Sequence, residues 1–236
     1  MIGTHDTAIV GCRTTKIYCR TDCSAGRHMK PENGVFFESS EEARASGYRP
    51  CKICKPDEPR IVPETFFLSR YHSPLGTYIL ASSQRGVTCV ETEDKVPACL
   101  ARWERDGIQV KDGSSEYNDA VAGELDDYFA GRLREFTVLL DLRGTPFQRR
   151  VWELLRDIPY GEMRSYSQIA HALGRPTAVR AVGGANARNP VSIIVPCHRV
   201  IGSDGKLVGY GGGLDRKDAL LKLEARVLQG SPIEQH

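Results

Sequence analysis

The stretch Ile194-Val195-Pro196-Cys197-His198-Arg199-Val200-Ile201 holds a thiol between a proline and a histidine, at the end of an apolar run that starts at Val191. The run predicts a short buried strand or extended segment. Pro196 fixes its own φ and favours an extended Val195, so the thiol stands on a stiff backbone. His198 can hold or accept the thiol proton, directly or through a water. The stretch therefore indicates either a nucleophilic cysteine or an inert core thiol.

The composition is that of a globular protein with one large or two smaller domains. The chain has 236 residues, of which 40% are hydrophobic. Its apolar runs all fall short of the roughly 18 residues that a membrane-spanning helix needs. The segment Met1–Asp6 lacks the basic and apolar stretches of a secretory signal. We therefore expect no membrane association.

The charge is unevenly distributed along the chain. The net charge is +2 over residues 1–60, −5 over 61–145 and +5 over 146–236. The basic excess lies in the two segments that hold the cysteine motifs, a distribution that permits nucleic-acid binding.

Four of the eight cysteines form two close pairs in the first 60 residues. The pairs are Cys19-x3-Cys23 and Cys51-x2-Cys54. Without a secretion signal, metal binding or catalysis is favoured over disulfides. Four closely spaced cysteine sulfurs suit Zn(II). A structural metal is also expected because the hydrophobic core of so small a domain is insufficient to stabilise its fold.

This segment resembles the N-terminal domain of the Ada response protein. The matching stretches are Cys12-Arg-Thr-Thr-Lys-Ile-Tyr-Cys19-Arg20-x2-Cys23, Val35-Phe-Phe37 and Gly47-Tyr-Arg-Pro-Cys51-Lys52-x-Cys54-Lys-Pro-Asp57. The resemblance implies that Cys19 is both a zinc ligand and a methyl acceptor, which takes the methyl group of a methylphosphotriester in the DNA backbone. Four basic residues either contact the flanking phosphates or are ordinary solvated charges: Arg13, Arg20, Arg49 and Lys52.

One departure from Ada limits what the resemblance implies. In Ada an AraC-like DNA-binding module follows the zinc domain, whereas here the short linker Pro56–Pro63 leads directly into the next domain. The transcriptional role is therefore not carried over, and triester repair stays a hypothesis.

Residues 64–142 contain no recognisable set of catalytic residues, and we expect them to form a structural scaffold. Turn signals separate three predicted strands, which form a meander: 66–71, 77–82 and 86–91. Two helices are predicted to follow, near 95–106 and 117–130. Three further thiols are expected to be structural or at the surface: Cys12, Cys89 and Cys99.

The last segment predicts a helix-turn-helix. A helix starts at Thr145-Pro146, a capped helix runs from Ser165 and stops at Gly174, and Thr177 caps a helix over 178–187. The small residues of that last helix suit either close approach to a DNA minor groove or tight packing in the core.

Residues 66–228 resemble the O6-alkylguanine-DNA alkyltransferase domain. The resemblance rests on these motifs: Gly144-Thr-Pro-Phe-Gln-x2-Val-Trp152, Arg180-Ala-Val-Gly-Gly-Ala185, Asn189-Pro190 and Pro196-Cys-His-Arg-Val-Ile201. It implies that Cys197 takes the alkyl group in one irreversible displacement. It also implies that His198 relays the thiol proton through water to Glu224, and that Asn189 orders the region.

The resemblance assigns roles to the DNA-facing residues as well. Tyr166 would help turn the base outward and protonate the departing guanine. Arg180 would fill the gap left by the flipped base, which costs a few kcal/mol to extrude. Ala181, Gly184 and Tyr210 would complete the DNA-contacting set, Tyr210 within a pocket wall over 209–214. Ser192 and Gly211 replace a proline and a serine of the human family member, which leaves the tolerated alkyl size open.

These observations predict an α+β protein with three parts: a zinc-stabilised domain over 1–60, an antiparallel-sheet subdomain over 64–142, and a helical subdomain with the helix-turn-helix over 143–236. We expect a monomer that repairs double-stranded DNA carrying alkylated guanine or a methylphosphotriester, in the cytoplasm (nucleoid) or nucleus, with zinc as its cofactor. The alternatives are a non-catalytic lesion binder, against which Cys197 argues, and a methylation-responsive regulator.

Overall fold

The computed structural model describes residues 9–21, 23–24, 29–58 and 64–230. The segment Met1–Asp6 and residues 59–63 of the predicted linker lie outside the described residues. The chain divides into two compact units, Met1–Val62 and Pro63–His236, which are described separately. The three-part division of the sequence stays a prediction.

The first unit is a four-stranded sheet with one helix. Its order is β3-β1-β2-β4, with β1 antiparallel to β2 and β3, and β2 parallel to β4. Its elements are β1 (Ile9–Cys12), β2 (Ile17–Arg20), β3 (Gly34–Phe37), α1 (Ser40–Ala45) and β4 (Arg49–Pro50). Ser39 caps the start of helix α1, because its hydroxyl accepts a hydrogen bond from the Glu42 amide.

The core of this unit requires a glycine at position 11. A Cβ atom there would lie 2.6 Å from the Phe37 ring and 2.7 Å from the Tyr48 ring. These two rings pack edge to face with centroids 5.0 Å apart, and Tyr18 completes the cluster. The core is small, as its sequence implies.

The second unit begins with a four-stranded sheet of order β7-β6-β5-β8. Its elements are β5 (Thr65–Ser73), β6 (Gly76–Ser83), β7 (Gly86–Thr92), α2 (Val96–Arg105), β8 (Gln109–Asp112) and α3 (Glu116–Phe129). The predicted meander and both helices are present. Strand β8, which pairs parallel with β5, was not predicted, because this short edge strand has a mostly exposed, polar pattern.

The sheet separates two apolar clusters. Tyr78 and Leu80 of β6 join the main core, whereas Ile79 and Ala81 face the other side, with Cys89, Cys99 and Trp103. This period of two is the ordinary consequence of strand geometry. It places α2 and α3 on opposite faces of the sheet.

The rest of the second unit is mainly helical. Its elements are α4 (Pro146–Arg156), β9 (Arg164–Ser165), α5 (Tyr166–Ala172), α6 (Val179–Ala187), β10 (Val200–Ile201) and α7 (Leu214–Leu228). Capping boxes start α4 and α5 at Thr145 and Ser165. The predicted cap at Thr177 is wrong. Helix α6 follows Ala178 and has no side-chain cap, because a turn over 175–178 precedes it.

The segment 190–195 pairs with the edge strand β7. The Val90 amide donates to Pro190 O over 2.9 Å, and the Ser192 amide donates to Val90 O over 2.8 Å. A full strand does not form, because Ile193 adopts a φ of +73° and turns the chain back on itself. This turn fixes the approach to Cys197. Across the described residues, every helix is too short or too polar to span a bilayer.

Candidate functional site

The thiol of Cys197 is held by a fixed amide. Cys197 opens a short 3₁₀ turn and is only 4% exposed. Its Sγ accepts a hydrogen bond from Asn189 Nδ2 at 3.0 Å, and the same Nδ2 donates to Val195 O at 2.8 Å. The side-chain oxygen of Asn189 accepts from the Val191 amide at 3.0 Å. Both ends of the amide are engaged, so its orientation toward the sulfur is set.

Pro196 makes the last turn before the thiol. Its φ of −79° and ψ of 62°, with the Cys197 amide 2.7 Å from Val195 O, form an inverse γ-turn. The proline ring therefore acts as the sequence predicts, by fixing the backbone on which the sulfur stands.

The Cys197 thiol keeps its proton at neutral pH. Burial raises the pKa of Cys197 to about 11, although the Asn189 hydrogen bond opposes this. A thiolate is the nucleophilic form of cysteine. A reaction at Cys197 therefore needs a group that takes this proton.

His198, the residue after Cys197, forms a buried pair with Glu224. His198 Nε2 lies 2.9 Å from Glu224 Oε1, and both side chains are fully buried. Burial lowers the pKa of His198, so the ring is neutral, and its Nε2 carries the proton that the carboxylate accepts. Nδ1 is then the basic nitrogen, and it has no hydrogen-bond partner within the described chain. The described residues show no direct bond between this ring and the Cys197 sulfur.

Glu224 is the centre of a wider network than the sequence analysis expected. Tyr128 Oη donates to it at 2.8 Å, the Gly161 amide at 2.9 Å, and Arg199 Nη2 at 2.9 Å. Burial alone would raise the pKa of Glu224, but the hydrogen bonds from His198 and Arg199 lower it to about 2. The carboxylate is therefore ionised. It pairs with Arg199 and His198.

Only part of this hydrogen-bond network could be predicted from the sequence. Arg199 belongs to the Pro-Cys-His-Arg motif, although its role was missed. Tyr128 and Gly161 lie far from Glu224 in the chain and carry no local motif.

Tyr166 begins α5 and reaches across to the segment before Tyr210. Its hydroxyl donates to Gly209 O at 3.1 Å and lies 3.4 Å from Asn186 Nδ2 of α6. Burial, and then the nearby Cys197, raises the pKa of Tyr166. The phenol is therefore protonated at neutral pH. Tyr210 is partly buried, and burial followed by Cys197 raises its pKa as well.

Helix α6 has one buried face and one exposed face. Val182, Ala185 and Asn186 are buried, and Trp152 Nε1 donates to Ala185 O at 2.9 Å. On the other face Arg180 and Ala181 are exposed, and Gly184 is half-buried. Tight core packing and an open surface of small residues therefore coexist on one helix.

Lys217 is a buried cation that the sequence analysis did not single out. Its ammonium donates to Val208 O at 2.8 Å and also to Val200 O. Burial lowers the pKa of Lys217 to about 8. The side chain ties α7 to β10 and to the segment before Tyr210.

The first unit brings its four predicted ligands together. The sulfur atoms of Cys19, Cys23, Cys51 and Cys54 all lie within 4.8 Å of one another, and three of the four residues are buried. Tetrahedral zinc with thiolate ligands at about 2.3 Å requires sulfurs about this close. The donor set holds no carboxylate or imidazole, so the residues fit a thiophilic metal ion.

A cavity of about 550 Å³ opens beside Cys19. Lys30, Arg49 and Lys52 line it, together with Cys12. Of the four basic residues considered from the sequence, Arg20 is engaged within the unit, since its guanidinium donates to Cys54 O at 3.0 Å. It supports the loop of the second cysteine pair.

Three protein-family models match the chain. They are described as the metal binding domain of Ada (residues 4–57), the 6-O-methylguanine DNA methyltransferase ribonuclease-like domain (67–142) and its DNA binding domain (146–226).

Two similar proteins from different organisms share one name. The chain is 51% identical over 152 residues to the methylated-DNA–protein-cysteine methyltransferase of Mycolicibacterium paratuberculosis, a match that covers 63% of this chain and 92% of that protein. It is 46% identical over 157 residues to the protein of this name from Methanosarcina acetivorans, with 65% and 95% covered. The crystal structure of Mycobacterium tuberculosis OGT in complex with DNA has a TM-score of 0.60 at 45% identity, and covers 71% of this chain and 95% of that chain.

Proposed function

The chain belongs to the methylated-DNA–protein-cysteine methyltransferase family, and we propose that it repairs DNA by moving the alkyl group of O6-alkylguanine onto Cys197. The observation that carries this proposal is the buried series Asn189, Cys197, His198 and Glu224. A fixed amide holds the sulfur, and a neutral imidazole with an open nitrogen follows it in the chain.

The transfer is a single displacement. The Cys197 sulfur forms a bond to the alkyl carbon while the bond from that carbon to guanine O6 breaks. The thiol proton leaves through a bridging water to Nδ1 of His198, whose positive charge Glu224 stabilises. The thioether product is stable, so each molecule acts once.

Tyr166 supplies the proton that the leaving guanine needs. Loss of the alkyl group leaves negative charge on the base, and the phenol, which is protonated at neutral pH, neutralises that charge by donating its proton. The hydroxyl is already oriented by carbonyl oxygens, so it exchanges one acceptor for another.

The exposed face of α6 is the surface that we assign to DNA. Arg180 and Ala181 are exposed there, and Gly184 has no side chain to hold the duplex away. Extruding a base costs a few kcal/mol, and Arg180 offsets part of this cost by filling the gap in the stack. Tyr210 forms the wall of the pocket that receives the base. We propose that a monomer is sufficient.

Arg180→Ala tests the DNA part of the proposal. We expect it to slow transfer from a duplex more than tenfold and to leave transfer from the free base O6-benzylguanine within twofold of wild type, because the free base needs no extrusion. Arg149→Ala, an exposed arginine on α4, is the control. Equal slowing on both substrates would contradict the role.

We further propose that Cys19, Cys23, Cys51 and Cys54 hold Zn(II). Bound zinc keeps cysteine ligands as thiolates at neutral pH. A second activity follows from the cavity beside Cys19, whose lysines and arginine suit a phosphate backbone: Cys19 takes the methyl group of a methylphosphotriester and leaves a phosphodiester anion.

The test of the main proposal is mass spectrometry of the digested protein after incubation with an O6-methylguanine duplex. We expect methylation of the peptide that holds Cys197, and none there in Cys197→Ala. If the wild-type protein binds the duplex but stays unmodified, the proposal is wrong and the protein is a non-catalytic lesion binder. A methylphosphotriester oligonucleotide tests Cys19 in the same way, with Cys12→Ser as the control.

A further inference from the structure

The C-terminal end of α6 presents two side-chain amides to two groups that the proposed reaction uses. Asn189, just beyond the helix, donates from Nδ2 to the Cys197 sulfur at 3.0 Å. Asn186, in the last turn, donates from its own Nδ2 to the Tyr166 hydroxyl oxygen at 3.4 Å. The two residues are linked through the main chain, because the Asn189 amide donates to Asn186 O at 3.2 Å. One helix end therefore contacts both the sulfur and the phenol.

This helix end is packed into the core. The indole Nε1 of the buried Trp152 donates to Ala185 O at 2.9 Å. Asn186 is itself only 3% exposed. A Cβ atom at Gly183, three residues earlier, would lie 3.9 Å from two carbons of the Tyr166 ring, so the ring lies against the same face of α6 as Asn186. The distance between the amide and the phenol is therefore determined by buried packing.

The phenol oxygen of Tyr166 has two acceptors and one donor around it. Val208 O and Gly209 O lie 3.3 Å and 3.1 Å away. A phenol has one proton, which it directs to one carbonyl at a time. Asn186 Nδ2 is the one hydrogen-bond donor to this oxygen within the described chain. Loss of the phenol proton would therefore leave an anionic oxygen next to two carbonyl oxygens, with the Asn186 amide as its one stabilising contact.

The amide of Asn186 is held at one end only. Its Oδ1 is buried and has no hydrogen-bond partner among the described residues, whereas the side-chain oxygen of Asn189 accepts from the Val191 amide. Buried polar atoms are normally satisfied, so the unpartnered oxygen is unusual. Hydrogen bonds to ions are shorter and stronger than those between neutral groups. The Asn186 amide can therefore move toward a charged phenol oxygen without breaking a bond at its other end.

We propose that Asn186 is a positioning residue that stabilises the negative charge on the Tyr166 oxygen as the phenol protonates the leaving guanine. This inference rests on the function proposed for Cys197 and Tyr166. In this step the O–H bond of Tyr166 breaks, its proton bonds to the departing base, and the Asn186 N–H strengthens its hydrogen bond to the phenolate. A proton from water later restores the phenol. The end of α6 thus serves the nucleophile through Asn189 and the acid through Asn186.

The experiment is a double-mutant cycle on Asn186 and Tyr166. Asn186→Leu replaces the amide with an apolar group of similar size, and Tyr166→Phe removes the hydroxyl on which the amide acts. The measured quantity is the second-order rate constant of transfer from an O6-methylguanine duplex to Cys197. We expect Asn186→Leu to slow transfer about tenfold when Tyr166 is present, the effect of one hydrogen bond to a charged group. In the Tyr166→Phe background it should change the rate by less than about twofold.

The dependence on the leaving base is a second readout, which a purely structural role would not change. O6-benzylguanine and O6-benzyl-8-azaguanine transfer the same benzyl group, but the azaguanine anion is the weaker base and needs less help from a proton donor. Asn186→Leu should therefore slow transfer from O6-benzylguanine more than transfer from the aza analogue. Asn186→Ala removes the amide without adding bulk, and it decides the matter if the leucine variant does not fold.

Asn118→Leu is the matched control, because it places the same substitution at an equally buried amide of α3. It should keep the wild-type ratio of the two free-base rates. The inference is overturned if Asn186→Leu does not slow transfer, or slows it equally with and without the Tyr166 hydroxyl or equally with both free bases. A Tyr166→Phe protein as fast as wild type would instead overturn the role proposed for Tyr166. A wild-type protein that transfers no alkyl group would overturn the proposed function.

Discussion

Oε1 of Glu224 lies 2.9 Å from Nε2 of His198, and neither side chain has any solvent exposure. The same carboxylate accepts hydrogen bonds from Arg199, Tyr128 and the Gly161 amide. One residue of α7 thus fixes the histidine that follows Cys197 and neutralises a buried arginine.

Glu224→Gln should therefore destabilise the second unit by about 3–5 kcal/mol, because it leaves the charge of Arg199 buried without a counter-ion. Tyr128→Phe removes one donor and keeps the ion pair, so it should cost only about 1.5 kcal/mol. Urea unfolding, followed by the fluorescence of Trp103 and Trp152 in the second unit, measures both. Equal losses in the two variants would contradict the ion-pair explanation.

Acid should lower the free energy of unfolding over a defined range of pH. Folding lowers the pKa of Glu224 from 4.5 to about 2, so between these values the unfolded chain binds more protons than the folded one. The stabilisation is complete above pH 4.5 and is lost as the pH falls toward 2, by about 3 kcal/mol. Folding also lowers the pKa of His198 from its usual 6.5. The stability that the neutral His198 contributes is therefore also lost as the pH falls, beginning below pH 6.5.

Unfolding free energies measured between pH 7 and pH 3 test this dependence. Glu224→Gln should have a flatter acid limb than wild type, since the amide does not titrate. The same slope in both proteins would assign the acid sensitivity to other carboxylates.

Cys197 should react slowly with iodoacetamide at neutral pH. With a pKa of about 11, its thiolate fraction grows about tenfold for each pH unit between 7 and 10, and the alkylation rate should follow. Asn189→Ala removes the hydrogen bond that lowers this pKa, so its rate at each pH should be lower. Peptide mass spectrometry separates Cys197 from the other thiols.

The control for that experiment is Asn118→Ala, which removes an equally buried amide from α3. It should leave the Cys197 rate within twofold of wild type. A rate that is flat between pH 7 and 9 would mean that the thiolate is already formed, contrary to the expectation.

Removal of metal should unfold only the first unit. Its core is small, so we expect a zinc chelator to increase amide exchange over 9–58 and leave 64–230 unchanged. Cys23→Ser should bind less than one zinc per chain, whereas Cys12→Ser, outside the four-sulfur cluster, should bind one. Full zinc binding by Cys23→Ser would disprove the four-thiol site.

Two glycines with the same backbone conformation should differ in their tolerance of alanine. Gly161 and Gly174 have φ of +75° and +72°. A Cβ at Gly174 meets nothing within 4 Å, whereas at Gly161 it would overlap Leu228 and disturb the amide that donates to Glu224. Gly174→Ala should lower the free energy of unfolding by about 1 kcal/mol, and Gly161→Ala should lower it by clearly more. Thermal unfolding of the two variants measures both losses. Equal costs would show that Leu228 simply moves aside.

The sequence alone was sufficient for features that depend on neighbours in the chain. The capping boxes at Thr145 and Ser165 and the left-handed Gly174 follow from local chemistry. The two cysteine pairs predict a metal site because chelation needs only short spacings. The α+β class follows from the periodicity of the strands and helices.

Only the tertiary structure decided which distant groups meet around Cys197 and His198. Tyr128 and Gly161 converge on Glu224 from 96 and 63 residues away, and no local pattern records such contacts. The pairing of β7 with the 190–192 segment brings Glu91 and Lys95 beside Ser192 and Gly211. The pKa of Cys197 is likewise a property of the fold, because burial acts on a charge only once the surrounding residues have excluded water.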